Sequence, residues 1–515
     1  MSGETGTKLE AAKRPYLELH QKLFVAVILF ALAAFIQVYN PFDLSAQHDE
    51  AAAELSSLVQ APFAGSRGGT AEPVTVLLVD AGTRSDLGFD TPYMPYDKLA
   101  QTLQALVAAQ PKAIFLDYSY RRVLTEDARK PNNGATGVKS GLQQLVDVLK
   151  LAKTAHVPVF TGPVGDDGQL AGLRAEVTSV GISWHAEHRL DYPFLGDSDF
   201  VQGGSRPVLT AAPAIYRGLC PDTPPGENCP GKVLVQGMFD GDQLTRPEKV
   251  PPAMFLNYLP YSGRDGAYGA SETCKDEPRG EAFARRALAR TVLRTISGDD
   301  TRGPSKCIDV PHFSLTELVA PGFDGAPSRV FNDYAQAYIR HKVVMIGDSS
   351  GTDRFDAPVF GRIDGVFQHA IALQTLMRAG DHYTRWPAAV PIDRHGEARA
   401  SLPWNFLLES LISFCVLAAI LVADRPETSA TAHGFIRRAG LIAIVAGLGA
   451  VTAAIEAALH WPLANLLNIA AGVGGVLAIT EIDKLISRRW PVLIATLGVA
   501  ALVLAGGFVL LRSWL

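Results

Sequence analysis

The sequence predicts two parts: an α/β domain, mostly parallel sheet flanked by helices and carrying a disulfide-bearing insertion, and an α-helical transmembrane bundle. Three observations lead there. Apolar runs that end in Asp alternate with helical patterns between residues 73 and 380. Five longer apolar runs flank that region. Four of the five cysteines fall inside it. The chain has 515 residues, enough for two or three ordinary domains, and its 48 % hydrophobic content is concentrated in the flanking runs.

The first element is a basic tail, 1–22, holding Lys8, Lys13, Arg14 and Lys22. Residues 23–40 follow as a first membrane helix, close to the roughly 20 apolar residues a span needs. "LSAQH" at 44–48 is a weak cleavage cue, and we read the run as an anchor. At the other end, 404–423, 440–459, 461–480 and 490–511 have span length and almost no charge. Lys and Arg in the tail and in loops 424–439 and 481–489 place all three on the cytoplasmic side. The domain at 41–403 and the C-terminus then lie outside.

Within the domain, "PVTVLLVD" reads as a strand buried on both faces. "YDKLAQTLQALVAAQP" sets Leu99, Leu103, Leu106 and Val107 on one helix face, and "KAIFLDYSY" is the next buried strand, ending at Asp117. "GLQQLVDVLKLAKTAHV" predicts a helix and "PVFTGPV" a strand; "VTSVGISW" is a further candidate strand. Residues 217–310 break the rhythm with Pro, Gly and charge and read as an insertion, with "MFLNYLP" (254–260) the one stretch in it suited to a core strand. Then come "FSLTELVAP" as a helix, "KVVMIGD" as a strand, the loop "GDSSGTDRFDAP", and the helix "GVFQHAIALQTLMRAG".

Cys220, Cys229, Cys274 and Cys307 lie in the segment placed outside the cytoplasm, where thiols oxidise. They predict two disulfides, Cys220–Cys229 across a Pro-rich loop and Cys274–Cys307, with the other two connectivities open. None has the close spacing of a zinc site, and no metal is assigned. A net charge of −5 without a basic block excludes nucleic acid as a partner.

Strand-terminal Asp80, Asp117 and Asp348, with Asp353, Arg354 and Asp356 on the following loop, form the candidate ligand site, because open α/β sheets bind ligands at the carboxyl ends of their strands. The same carboxylates also suit helix caps and turns. His369, one turn into the last helix, reads as a core histidine before a pH sensor. In the apolar runs, Glu409, Glu456 and Asn465 form a candidate polar site at membrane depth. No Gly-x-Ser-x-Gly, His-Glu-x-x-His, P-loop or kinase motif occurs, so neither enzymatic activity nor a cofactor is expected.

The run Val343 to Gly347, the loop Gly351 to Arg354, Ala357-Pro358, Asp364-Gly365-Val366, His369-Ala370 and Thr375-Leu376 resemble the signature of the CHASE2 family. "VLLVDAGTRSDLG", "PYDKLAQTLQAL" and "PKAIFLDYSY" are similar to its N-terminal half. The resemblance implies an extracytoplasmic sensory domain of a bacterial inner-membrane protein, here facing the periplasm. Family members usually continue into three membrane helices and a cytoplasmic kinase or cyclase, whereas four apolar runs follow here. The expectation is therefore a sensor that relays its signal to a separate membrane or periplasmic partner, with the lipid bilayer as its other contact and homo-oligomerisation compatible. The alternative is a structural or assembly subunit of an envelope complex.

Overall fold

Long apolar runs with β-branched residues form strands that are buried on both faces only when helices cover both sides of a parallel sheet. That is the arrangement found in the computed structural model, which describes 73–120 except 92, 139–182, 191–198, 206–219, short pieces between 239 and 256, and most of 308–403. Six strands, β1 (Val74–Val79), β2 (Ala113–Leu116), β3 (Val159–Thr161), β4 (Thr178–Ser179), β5 (His312–Ser314) and β6 (Val343–Asp348), make one all-parallel sheet in the order β5-β1-β6-β2-β3-β4.

The pleat splits each strand between two cores. Val74, Val76, Ala113, Phe115, Val343 and Met345 meet the helices α4 (Ala211–Gly218) and α6 (Val366–Ala379). Leu77, Val79, Ile114, Leu116, Val344 and Ile346 meet α2 (Tyr96–Ala108), α3 (Gly141–Thr154) and α5 (Asp333–Ile339) on the other face. The predicted face Leu99, Leu103, Leu106 and Val107 is buried, and each leucine there contributes roughly 1.5–3 kcal/mol relative to exposure. α3 starts on Ser140, whose hydroxyl accepts the Gln143 N–H at 3.2 Å.

Several elements differ from expectation. "FSLTELVAP" is not one helix: His312–Ser314 is the sheet's edge strand β5, in register with Val76 to Leu78, followed by a single helical turn, Leu315–Leu318. Pairing with β1 and burial of Phe313 outweigh the local helical pattern. The loop after β6 contains a hairpin, β7 (Arg354–Ala357) with β8 (Gly361–Asp364). Met254–Phe255 pairs antiparallel with Asp191–Tyr192, outside the main sheet, yet Met254 and Leu256 join the core beneath α6, so the insertion reaches the core.

The predicted fold class needs a larger correction. Among the described residues no helix is long and apolar enough to cross a membrane. The longest, α3 and α6, have 14 residues, about 21 Å at 1.5 Å per residue against a hydrocarbon core of about 30 Å. What is described is an α/β domain with a parallel sheet, and no transmembrane bundle or disulfide is seen. The five predicted spans, Glu409, Glu456, Asn465 and the cysteines of Cys220–Cys229 and Cys274–Cys307 lie outside the described residues.

The chain divides into two units. One, Ala53–Trp386 with His460–Pro462, holds the sheet. The other, Met1–Ala52, Pro387–Leu459 and Leu463–Leu515, contributes to the described residues a hairpin of Ala389–Ile392 with Ala400–Pro403.

Candidate functional site

Parallel register aligns the carboxyl ends of the three central strands. Val79 pairs with Asp348 and Ile346 with Leu116, so Asp80 and Asp117 each emerge about one residue from the level of Asp348, on either side of it along the strands. The Asp117 N–H donates to the Ile346 carbonyl at 2.8 Å. Alternation then sends the side chains apart.

Asp80 turns into a helix cap. It is the N-cap of α1 (Ala81–Leu87), and its Oδ1 accepts the Thr83 N–H at 2.7 Å. The Thr83 hydroxyl lies 3.1 Å from that of Ser314 on β5. Burial works to raise the Asp80 pKa, but the bonds from Thr83 and Ser314 outweigh it and hold the carboxyl below its ordinary range. Asp80→Ala is expected to cost about 1 kcal/mol of stability, read as a lowered melting midpoint. That loss should shrink at acid pH, because a depressed native pKa stabilises above the unfolded value and is lost as pH falls through the native one.

Asp348 faces the α1 side, where Arg84, one turn into that helix, pairs with its Oδ1. Beside this pair stands Tyr118, 7 % exposed. Among the described residues its hydroxyl is a buried polar atom without a hydrogen-bond partner, as is Arg84 Nε. Burial pushes the Tyr118 pKa up, reinforced by Tyr120, Asp348 and Asp117 and opposed by Arg84, so the phenol stays protonated.

Asp117 faces the opposite side, under α6. Its carboxyl is 4 % exposed and lies 3.6 Å from His369 Nε2. The His369 ring stands edge-on to Phe115 and Tyr192, and its Nδ1 is 2.7 Å from the Tyr192 hydroxyl, which accepts the Ala212 N–H at 3.0 Å. Burial pulls the His369 pKa down to about 3, so the imidazole is neutral and Asp117 has no cation beside it. Burial first, then the charge of Asp353, raises Asp117 well above its ordinary 3.8.

Asp353 closes the group from above. The residue presents surface to solvent, while its carboxyl is tucked against Gly365 at the start of α6, where any Cβ would overlap it. The Gly365 N–H donates to the Asp353 carbonyl at 2.8 Å. Burial and then Asp348 raise its pKa. Arg354 is drawn off to Asp364, its partner across the hairpin, at 3.2 Å. Burial keeps Asp364 above its ordinary value despite that bond. Asp356 is placed by backbone pairing with Arg362.

The structure thus sets Asp117 on the α6 face and Asp348 on the α1 face of one sheet edge, places the Asp353 carboxyl at the start of α6, assigns Asp80 to a cap and Arg354 to Asp364, and adds Arg84, Tyr118 and Asp364. Among the described residues no group of three or more His, Cys, Asp or Glu side chains is arranged to hold a metal ion.

The raised Asp117 pKa carries a sign. Its native proton is held more tightly than in the unfolded chain, so the associated stability is complete below pH 3.8 and is lost as pH rises through the native pKa. Asp117→Asn mimics the protonated acid. Melting midpoints at pH 4, 5, 6 and 7 are expected to fall less steeply for this variant than for the wild type; parallel profiles would contradict the assignment.

With this geometry in place, the comparisons with known families decide the classification. The model of the CHASE2 domain matches residues 25–408, well over half of the sequence. The chain belongs to the CHASE2 family. CHASE2 is an extracytoplasmic sensory domain, and a signalling role is consistent with that membership. No curated protein and no solved structure matches the chain.

Proposed function

We propose that this CHASE2 protein is a sensor at the inner membrane that binds a ligand outside the cytoplasm, at the carboxyl edge of its sheet, and relays the signal to a separate partner protein. On this reading it has no catalytic activity of its own. The observation that carries it is the CHASE2 match across residues 25–408. The placement of Asp117 and Asp348 at the strand ends, with Asp353 on the loop that follows, supports the location of the site, because open sheets bind ligands there. Signal transfer has a physical starting point there. Asp117 touches His369, and through Tyr192 the contact reaches the N-terminus of α4 and the strand paired with Met254–Phe255.

The test is purification of the full-length chain in mild detergent with mass-spectrometric identification of what comes with it. Recovery of a kinase or cyclase supports the relay. Stoichiometric recovery of a secretion, polymer-export or motility machine would replace it with an assembly role.

A further inference from the structure

We propose that the amino edge of the sheet is a basic surface that docks on anionic phospholipid headgroups and so holds the domain with its carboxyl edge turned away from the membrane. The inference rests on the reading of the chain as a protein at the inner membrane.

In a parallel sheet the turns that lead from helices into strands all fall at the amino edge. Three of them serve neighbouring strands here: 340–342 between α5 and β6, 109–112 between α2 and β2, and 155–158 between α3 and β3. Hydrogen bonds join them into one surface. The Lys112 N–H donates to the Lys342 carbonyl at 2.8 Å, the His341 N–H to the Gln110 carbonyl at 3.0 Å, and the Ile114 N–H to the Pro158 carbonyl at 3.0 Å. These turns carry Lys112, Arg340, Lys342, His156 and His341 and contain no Asp or Glu. Lys112, Arg340 and both histidines are exposed. On the other face of the sheet α4 and α6 finish side by side, since a Cβ on Gly380 would lie 3.9 Å from the Tyr216 hydroxyl, and their last turns hold Arg217 and Arg378. Asp80, Asp117 and Asp348 stand at the opposite edge, so charge is separated along the strand direction.

The backbone of the turns adds an independent observation. Gln110, His156 and His341 have φ of 56°, 56° and 59°, the left-handed region that glycine occupies most easily. Each is instead an exposed polar side chain. Turn geometry does not account for those side chains, whereas contact at this surface does.

Chain direction supplies the occupant. β1 begins at this edge, at Val74, and α6, which starts against Gly347 near the end of β6, runs back to finish here at Ala379. In the sequence the apolar run 23–40 precedes β1 and the run 404–423 follows α6. A membrane that holds either run therefore meets the basic edge before the acidic one. Anionic headgroups attract Lys and Arg over about 10 Å at 0.1 M salt, and each cation near the surface adds roughly fivefold to the affinity.

Lysine footprinting of the full-length chain in lipid nanodiscs tests this, with acetylation read by mass spectrometry. Lys139, just before α3 at the carboxyl edge and exposed, is the internal control. In phosphatidylglycerol discs Lys112 should be acetylated about threefold or more slowly than in phosphatidylcholine discs, with Lys139 unchanged. Sodium chloride at about 1 M, where the screening length is about 3 Å, should abolish the difference. Arg340→Glu should weaken the protection of Lys112 with unchanged circular dichroism, and Lys139→Glu should leave it intact. Equal acetylation of Lys112 in the two lipids, protection that persists at high salt, or protection indifferent to Arg340→Glu would overturn the proposal.

The two readings fail separately. A chain that enters the discs with Lys112 equally labelled in both lipids keeps its place at the membrane and loses this surface. A chain that stays out of the discs yet binds phosphatidylglycerol vesicles, and binds them less as Arg340→Glu, keeps the surface and loses the anchorage.

Discussion

His369→Ala is expected to lower the stability of the sheet-bearing unit by about 4 kcal/mol, a drop of roughly 10 °C in melting midpoint. Two effects add. Removing a buried ring leaves a cavity between Phe115 and Tyr192, and losses of about 3–5 kcal/mol are typical for large aromatic truncations. The same change strips Tyr192 of its Nδ1 partner and leaves the Asp117 carboxyl facing a void. With the Ala212 N–H donating to the Tyr192 oxygen, the phenol proton goes to Nδ1, which leaves the Nε2–H to face Asp117. His369→Phe refills the volume without restoring those bonds, so it should recover part of the loss. Full recovery would show that the polar contacts contribute nothing; no recovery would show that shape contributes nothing.

This network also marks where a linear reading of the chain stops. The strand-terminal acids were legible because a strand buried on both faces must be free of charge, so the first charged residue, Asp80, Asp117 or the end of "VMIGD", marks the sheet edge. The α2 face was legible because 3.6-residue periodicity survives when one side packs on a sheet. Side-chain direction was not. Asp117 and Asp348 sit at nearly the same height, yet the pleat sends one to His369 and the other to Arg84, and that depends on register across strands more than 200 residues apart. Arg84 had a faint local signal, one turn after a capping Asp, but its partner lies 264 positions away. Tyr192 had none, because its role comes from a contact spanning 177 positions.

The edge strand β5 was hidden for another reason. "FSLTELVAP" carries apolar residues at spacings that fit a helix, and only pairing with β1 selects the extended form for His312–Ser314. The hairpin β7–β8 has strands of only four residues, too short for their alternation to stand out within a loop rich in Gly and Asp. Arg354 and Asp364 face each other only once that hairpin closes, so pairing diverted a residue that the sequence offered as a ligand contact.

Gly347→Ala should cost about 3 kcal/mol, the upper end for inserting one carbon into a filled core. Gly347 is the fifth residue of β6, and its missing side chain is where α6 begins. A Cβ there would overlap Val366, coming within 2.7 and 2.9 Å of the two methyls. Val366 is 1 % exposed in the core under α6 and has nowhere to retreat. The collision therefore pushes the first turn of α6 away from the sheet, and Gly365, whose close contact holds the Asp353 carboxyl, moves with it. Structure and site are coupled at this point: a glycine in a strand lets a helix start close enough to bring Asp353 toward Asp117. Val366→Ala in the Gly347→Ala background removes the colliding methyls and should restore part of the stability, a non-additive outcome that a double-mutant cycle of melting midpoints would detect. Additive losses would show that the close approach of β6 and α6 is not what Gly347 provides.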